Sequence, residues 1–281
     1  MDAGFRRYAE QCPDAVIVTD RQGRIEYVNA ACERVTGYAR DELIGRTPAV
    51  LKSGTHEADF YRGLWSTLLA GAEFRAIFTN RRKNGELYYE EKIIRPLGKE
   101  FLSFGRDVTE RARELEKLAH AATHDSLTDL PNRSLFLDRF GQALRQAARR
   151  CEEFTVVILD LDRFRETNNR FGHLAGDAVL QAVAERTRGC VREADTVARV
   201  GGDELALILT GTGPADARQV LEKIVAANAP PVRFEDRDLP VSVSVGACTY
   251  PGDGAGELDL RKLADRRMYE AKRAGGNRYV L

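Results

Sequence analysis

The chain has 281 residues, enough for two domains of ordinary size. Lys and Arg total 43 and Asp and Glu total 43, so the formal net charge is zero, which excludes a bulk electrostatic hold on nucleic acid. Five cysteines (Cys12, Cys32, Cys151, Cys190, Cys248) lack paired spacing, which excludes a disulfide framework or a zinc site and predicts reduced, buried thiols.

No apolar stretch follows Met1-Asp2-Ala3-Gly4-Phe5-Arg6-Arg7 to act as a signal peptide, and no run approaches the ~18 apolar residues of a membrane helix. A cytoplasmic protein without a membrane span is expected. Ala15 to Asp20 reads as a strand, Arg21-Gln22-Gly23 as a turn, and Arg24 to Val28 as a second strand. Asn29 to Thr36 reads as a helix stopped by Gly37. A middle helix from Ala58 to Leu69 stacks Tyr61, Leu64, Trp65 and Leu68 on one face, with Trp65 expected in the core. Phe74 to Thr79 and Leu87 to Ile94 read as strands around the turn Asn84-Gly85, and Phe101 to Phe104 as a last strand.

Val108 to Ala122 follows, with Val108, Leu115 and Ala122 seven apart and Leu118 between them, in a highly charged surround. This is a linker helix with two heptads of a coiled coil, or simply a solvated helix.

Beyond the linker, Phe154 to Leu159 is an apolar, β-branched run ending at Asp160-Leu161-Asp162, a buried strand with acids at its C-terminal end. Forty residues on, Gly201-Gly202-Asp203-Glu204-Leu205 sits between apolar runs and reads as a β-hairpin whose glycines allow positive φ and close approach of a ligand. One acidic cluster alone would be a strand ending in solvent. Two, with no His or Cys beside them, favour Mg²⁺ or Mn²⁺ over zinc, and such ions clamp phosphoryl displacements.

Two resemblances then become visible. Residues 5–109, through Asp14-Ala15, Asn29-Ala30, Thr36-Gly37-Tyr38, Glu42-Leu43-Ile44-Gly45 and Asp107-Val108-Thr109, resemble a PAS domain. From about residue 123 onward the chain resembles a GGDEF-type diguanylate cyclase. The motifs are Asp125-Ser126-Leu127-Thr128-Asp129-Leu130-Pro131-Asn132-Arg133, Asp160 to Arg165 with Asn168, Phe171-Gly172-His173, Gly176-Asp177, Arg199 to Leu205, and a tail of Ala264-Asp265, Met268-Tyr269, Ala271-Lys272 and Gly275-Gly276-Asn277. The fold class is therefore α+β: a PAS domain (1–107; antiparallel sheet with flanking helices), a helical linker (108–123) and a palm-like nucleotide cyclase domain (124–281). Its central sheet is expected over 154–160, 197–201, 205–210 and 241–248, backed by helices near 134–150, 173–189, 214–228 and 260–274.

The cyclase resemblance implies condensation of two GTP into cyclic di-GMP by a homodimer joined through the PAS domain and linker. It assigns metal-ligand roles to Asp160, the Leu161 carbonyl, Asp203 and Glu204, with Glu204 also able to take the hydroxyl proton. The main-chain N–H groups of Arg163 and Phe164 would cradle phosphate, Lys272 would bind phosphate, and Asn168 and Asp177 would read guanine. Arg192 and Asp195 match the inhibitory product site; read as residues alone they are equally a local ion pair. Departures are Leu205 for Phe, Arg165 for Lys in the substrate loop, Asn169 for Asp, and Gly276 for a phosphate-binding Arg. The alternative reading is a catalytically weak receptor for cyclic di-GMP or GTP.

The PAS ligand stays open. His56 lies near the axial-ligand position of haem-binding members, yet a lone His there is more often a capping or surface residue. Leu51-Lys52-Ser53-Gly54, Phe60-Tyr61, Leu64-Trp65, Asn80 to Gly85 and Leu87-Tyr88 are similar to PAS domains holding FAD without a covalent Cys, although Phe74 stands where those place Trp. Cys32 reads as core packing.

Overall fold

The structure is a computed structural model describing residues 3–281; Met1 and Asp2, part of the first predicted domain, lie outside the described residues. The chain divides into two compact units, one ending at Leu118 and one spanning Ala119–Leu281.

The first unit runs α1 (Ala3–Gln11), β1 (Ala15–Asp20), β2 (Ile25–Val28), α2 (Ala30–Thr36), α3 (Arg40–Leu43), a 3₁₀ turn (Pro48–Leu51), α4 (Ala58–Leu69), β3 (Phe74–Arg81), β4 (Leu87–Leu97) and β5 (Glu100–Asp107). The strands form one antiparallel sheet in the order β2-β1-β5-β4-β3. Asn29 ties its start together. The fully buried side chain caps α2 through Cys32 N–H, accepts Val16 N–H at 2.9 Å, and donates to the Ala9 carbonyl at 2.8 Å. Three elements therefore depend on one amide, whose loss would strand buried polar groups.

Two expectations need correction here. Trp65 is 39% exposed, packed edge-on against Phe101 at 5.7 Å, so it walls a cavity rather than filling the core; Leu64 and Leu68 fill it instead. The cysteines divide: Cys32 and Cys248 are buried, Cys12 and Cys190 half-buried, and Cys151 exposed at the left-handed C-cap of a helix. Composition alone could not tell a capping Cys from a core one.

The linker helix α5 (Thr109–Thr123) begins in the first unit and ends in the second; Leu115 and Leu118 on it are 58% and 61% exposed. The second unit then follows. It continues with α6 (Arg133–Arg150), β6 (Phe154–Leu161), α7 (Phe164–Phe171), α8 (His173–Arg188), β7 (Thr196–Arg199), β8 (Glu204–Thr210), α9 (Pro214–Asn228), a small hairpin β9 (Val232–Phe234) and β10 (Arg237–Leu239), then β11 (Val243–Tyr250), α10 (Glu257–Arg273) and β12 (Arg278–Val280). The main sheet has the order β12-β11-β6-β8-β7, antiparallel except for the β11–β12 pair.

Every residue of β6 is buried, as a central strand covered on both faces requires. Its side chains alternate. Val157, Leu159 and Leu161 pack with α8 and α9, whereas Val156 and Ile158 pack with α6 and α10. Gly246 on β11 is where the sheet meets α10 most closely: a Cβ there would overlap the Ala264 carbonyl oxygen and the Met268 nitrogen. Only glycine allows α10 to lie this close to the sheet.

We expect Gly246→Ala to force α10 off the sheet and lower stability by about 1–3 kcal/mol, the usual range for overpacking. Denaturant melts of the full chain would read this as a lower midpoint for the transition of the second unit. An unchanged midpoint would contradict the packing described.

Candidate active site

The alternation along β6 places Asp160 on the α6/α10 side at the strand's end. Glu204 on β8 and Ser244 on β11 lie directly opposite it in the two ladders, so all three share one face. Asp160 is only 6% exposed. Lys272, near the end of α10, brings its ammonium to 2.5 Å from Asp160 Oδ1. The contact is an ion pair off the hydrogen-bonding angle, and that oxygen has no aligned donor. Burial pushes the Asp160 carboxyl up to about 6; Lys272 opposes the shift, and the negative charges of Asp203 and Glu204 add to it. The acids of the two sequence clusters therefore act on one another through space.

The Gly-Gly turn is built differently from the sequence expectation. Neither Gly201 nor Gly202 adopts the left-handed backbone. Gly201 is needed for space, because a Cβ would press to 2.8 Å from Glu204 Oε2. The turn closes through Val200 N–H to the Glu204 carbonyl at 3.0 Å, and Leu161 N–H reaches the Asp203 carbonyl at 3.3 Å, joining the end of β6 to the turn. Leu205 is fully buried on the opposite face.

Asp162, the second acid of the first cluster, is committed elsewhere. Its carboxylate accepts Ser244 Oγ at 2.6 Å, Ser242 Oγ at 2.7 Å and Asn277 N–H at 2.9 Å. Gly276, at φ +71°, lies against it, and a Cβ would come within 2.6 Å of Asp162 Oδ2. A larger residue at 276 would therefore cost this tie as well as backbone strain.

Arg163 adopts φ 55°, ψ 26° and opens α7, so the N–H groups of Arg163, Phe164 and Arg165 precede the helix's own hydrogen-bond ladder. A left-handed residue followed by helical ones is an anion nest. Asn168 on α7 lies against Gly176 of α8, where a Cβ would overlap its Oδ1, and Asp177 is the next residue. The predicted guanine-reading pair thus comes from two helices that meet at a glycine.

Arg192 and Asp195 make no ion pair with each other. Asp195 instead accepts Arg192 N–H and Thr210 N–H, each at 3.0 Å, and so braces its loop against the end of β8. The Arg192 side chain stands exposed at a hollow of about 590 Å³ that also meets Arg139, Arg188, His120 and His124.

One pair of residues carries a role the sequence reading missed. Arg199 lies in the Gly-Gly motif and Asp125 in the motif that opens the domain. The guanidinium holds both Asp125 oxygens (3.0 and 3.2 Å) and the Gly202 carbonyl (2.7 and 3.2 Å). Arg199 N–H also reaches the Pro131 carbonyl, while Asn132 binds the Thr123 and Ala122 carbonyls at the end of α5, each at 2.8 Å. Coincidence of Asp and Arg in two motifs seventy residues apart is no signal without a fold.

Among the described residues, no three His, Cys, Asp or Glu side chains converge tightly enough to form a metal cage by themselves. The acids nevertheless suit Mg²⁺, which takes one or two carboxylates and completes its shell with water and substrate phosphate. The buried Asp160 carboxylate, whose Oδ1 meets the Lys272 ammonium off the hydrogen-bonding angle, is the group such an ion would bind.

This sheet, with a buried acid at the end of its central strand and half-buried acids in the adjacent glycine turn, defines a palm-like α+β unit. A family profile described as "Diguanylate cyclase, GGDEF domain" matches residues 122–278, and one described as "PAS fold" matches residues 4–108. The chain belongs to the GGDEF-domain diguanylate cyclase family, with a PAS fold ahead of that domain. Diguanylate cyclase TpbB of Pseudomonas aeruginosa is 45% identical over 168 residues, covering 59% of this chain and 39% of its own length. An uncharacterized signaling protein of Caulobacter vibrioides is 32% identical over 283 residues, covering 98% of this chain and 34% of its own. The chain thus spans between a quarter and two fifths of the curated relatives it matches most strongly. The solved GGDEF domain of TpbB superposes with a TM-score of 0.54 at 43% identity, covering 55% of this chain and 91% of that one. The coiled coil and GGDEF domain of DgcB from Caulobacter crescentus, solved with cyclic di-GMP, gives 0.55 at 30% identity, covering 60% and 91%.

Two outcomes are expected at this site. Because Asp160 binds its proton more tightly folded than unfolded, its ionisation opposes folding once pH rises through about 6, and the penalty vanishes below the ordinary carboxylate value of 3.8. Metal-free Asp160→Asn should therefore melt several degrees above the parent at pH 8 and nearly with it at pH 4, as calorimetry would show, while Mg²⁺ raises the parent's midpoint alone. Arg199→Met should lower kcat by tenfold or more with far-ultraviolet circular dichroism unchanged, and Arg199→Lys should recover only part of it, because an ammonium cannot bridge a carboxylate and a carbonyl as a guanidinium does.

Proposed function

We propose that the second unit is a diguanylate cyclase: two GTP molecules, one per protomer of a homodimer, are joined into cyclic di-GMP with release of two pyrophosphates. The observation that carries this reading is the buried Asp160, in register with Glu204 and coupled to Asp203, in a chain of this family.

Asp160, Asp203, Glu204 and the Leu161 carbonyl are the groups that would hold Mg²⁺ or Mn²⁺. When bound, such ions neutralise the triphosphate and polarise the α-phosphate. The Arg163 and Phe164 amides take the β- and γ-phosphate oxygens. Lys272, already at the acids, supplies a mobile cation for phosphate, and exposed Arg165 a second. Asp177 accepts from guanine N1–H and N2–H₂, with Asn168 completing the edge, a pattern adenine cannot match. Glu204 takes the 3′-hydroxyl proton as that oxygen attacks the α-phosphate of the facing GTP.

Ring closure needs two sites face to face, so the reading requires a dimer. The exposed Leu115 and Leu118 of α5 suit a helix pair, and the PAS unit would adjust it in response to its own ligand. Product returns to the hollow at Arg192, whose guanidinium is free to fork onto phosphate or guanine, with Asp195 beside it.

Incubation with GTP and Mg²⁺ followed by chromatography should yield cyclic di-GMP. Asp203→Ala should reduce the rate by at least a hundredfold, and Arg192→Ala should keep turnover but lose inhibition by added product. Tight GTP or cyclic di-GMP binding with no pyrophosphate release would support the receptor reading instead.

A further inference from the structure

The first unit encloses a cavity of about 300 Å³ between the inner face of its sheet and α4. Most of its wall is apolar: Leu64, Leu68, Phe78 and Phe101 enclose space for roughly ten water-sized groups. Four polar side chains break that wall from the sheet: Thr19 on β1, Asn80 on β3, Lys92 on β4 and Ser103 on β5. Ser103, on β5, is 7% exposed and its hydroxyl has no partner. Lys92, on β4, is 5% exposed.

The charges near Lys92 can be followed one by one. Glu90, 1% exposed, takes Lys92 Nζ at 2.9 Å and Asn80 Nδ2 at 2.8 Å on the same oxygen. Its other oxygen lies against Gly105, where a Cβ would overlap it, so nothing larger than glycine admits this carboxylate. Glu90 thus neutralises Lys92 but leaves two of the ammonium's three N–H groups to other acceptors. Lys52 also borders the cavity. It lies over the Tyr61 ring at 3.6 Å and makes no ion pair among the described residues. The lining therefore combines a buried, unpartnered hydroxyl with a buried ammonium, and Lys52 adds a positive charge on its solvent-exposed side. A buried hydroxyl left without a partner carries a desolvation penalty, which a guest with an acceptor oxygen would recover.

We propose that this cavity binds a compact apolar monocarboxylate of about ten non-hydrogen atoms, its carboxylate on Ser103 and Lys92 and its tail among Leu64, Leu68 and Phe101. The tail gains the burial that the aromatic wall offers. A dinucleotide flavin brings two phosphates and several times the volume. His56 is not poised as a haem ligand, since its Nε2 accepts the Thr79 N–H at 2.8 Å and its ring stacks on Phe60.

The inference is independent of the cyclase reading, because its readout is binding. The full chain would be titrated calorimetrically with 3-phenylpropionate and octanoate, and with 3-phenylpropanamide and octanol as neutral counterparts. We expect one acid bound per chain, at least tenfold tighter than its neutral counterpart, and a tenfold or greater loss in Ser103→Ala. Lys92→Met leaves Glu90 buried and unpaired and can fail to fold, so Leu68→Trp, which fills the cavity, serves as the second variant and should abolish binding. Equal binding of acid and amide, no saturation by either acid at millimolar concentration, binding unaffected by Ser103→Ala and Leu68→Trp, or a purified chain carrying flavin or haem absorbance would each overturn the proposal.

Discussion

The second unit depends on the register of β6 between β8 and β11. That register puts Asp160 opposite both Glu204 and Ser244, on the face covered by α10, and it is this coincidence that brings carboxylates and Lys272 together. Sliding the strand by one residue would turn Asp160 into the α8/α9 core and expose the leucines to α10, so the hydrophobic alternation that folds the sheet also fixes the site. The cost is visible in the Asp160 carboxyl, which burial and two neighbouring acids hold well above its ordinary range. Sites prepared for a cation commonly give up stability in its absence.

The turn that supplies Asp203 and Glu204 is held from outside. With neither glycine left-handed, its shape follows from Arg199 gripping the Gly202 carbonyl, from Asp125 gripping Arg199, and from Leu161 N–H on the Asp203 carbonyl. Asp125 in turn belongs to a loop whose Asn132 closes the carbonyl end of α5. The acids are therefore positioned by short charge-assisted bonds, which are stiffer and more directional than a flexible glycine hinge.

Long elements with strong periodicity were readable from sequence. The all-apolar run ending in Asp160, the helices α6, α8, α9 and α10 and the PAS strands all lie within a few residues of their expected positions. The strands predicted over 197–201 and 241–248 shift to Thr196–Arg199 and Val243–Tyr250, the latter beginning past Pro240, which has no N–H for a ladder. The short elements α1, α3, α7, β9, β10 and β12 were not readable. α7, for instance, is eight residues rich in Asn and Thr, with poor helix propensity, and it exists because it packs on α8 at Gly176. The site was legible as residue types, but their commitments were not. Asp162 and Asp195 look like free acids in sequence and prove to be occupied by serine hydroxyls and main-chain N–H groups, whereas Arg199 looked unremarkable and ties three segments together. Hydrogen-bond partners distant in sequence leave no local pattern to read.

Among the described residues, each unit pairs one lysine with a buried carboxylate, and the difference between the two pairs separates structure from function. Glu90 is satisfied: one oxygen holds Lys92 and Asn80, and the other fits against Gly105. Asp160 has Lys272 close by, yet one of its oxygens has no aligned donor, and it shares its surroundings with two further acids. In the first unit the carboxylate is held in place by its partners, and what stays open is the lysine's side of the pair, facing a cavity. In the second unit what stays open is the carboxylate. The first pair is thereby suited to receive an anion and the second a cation.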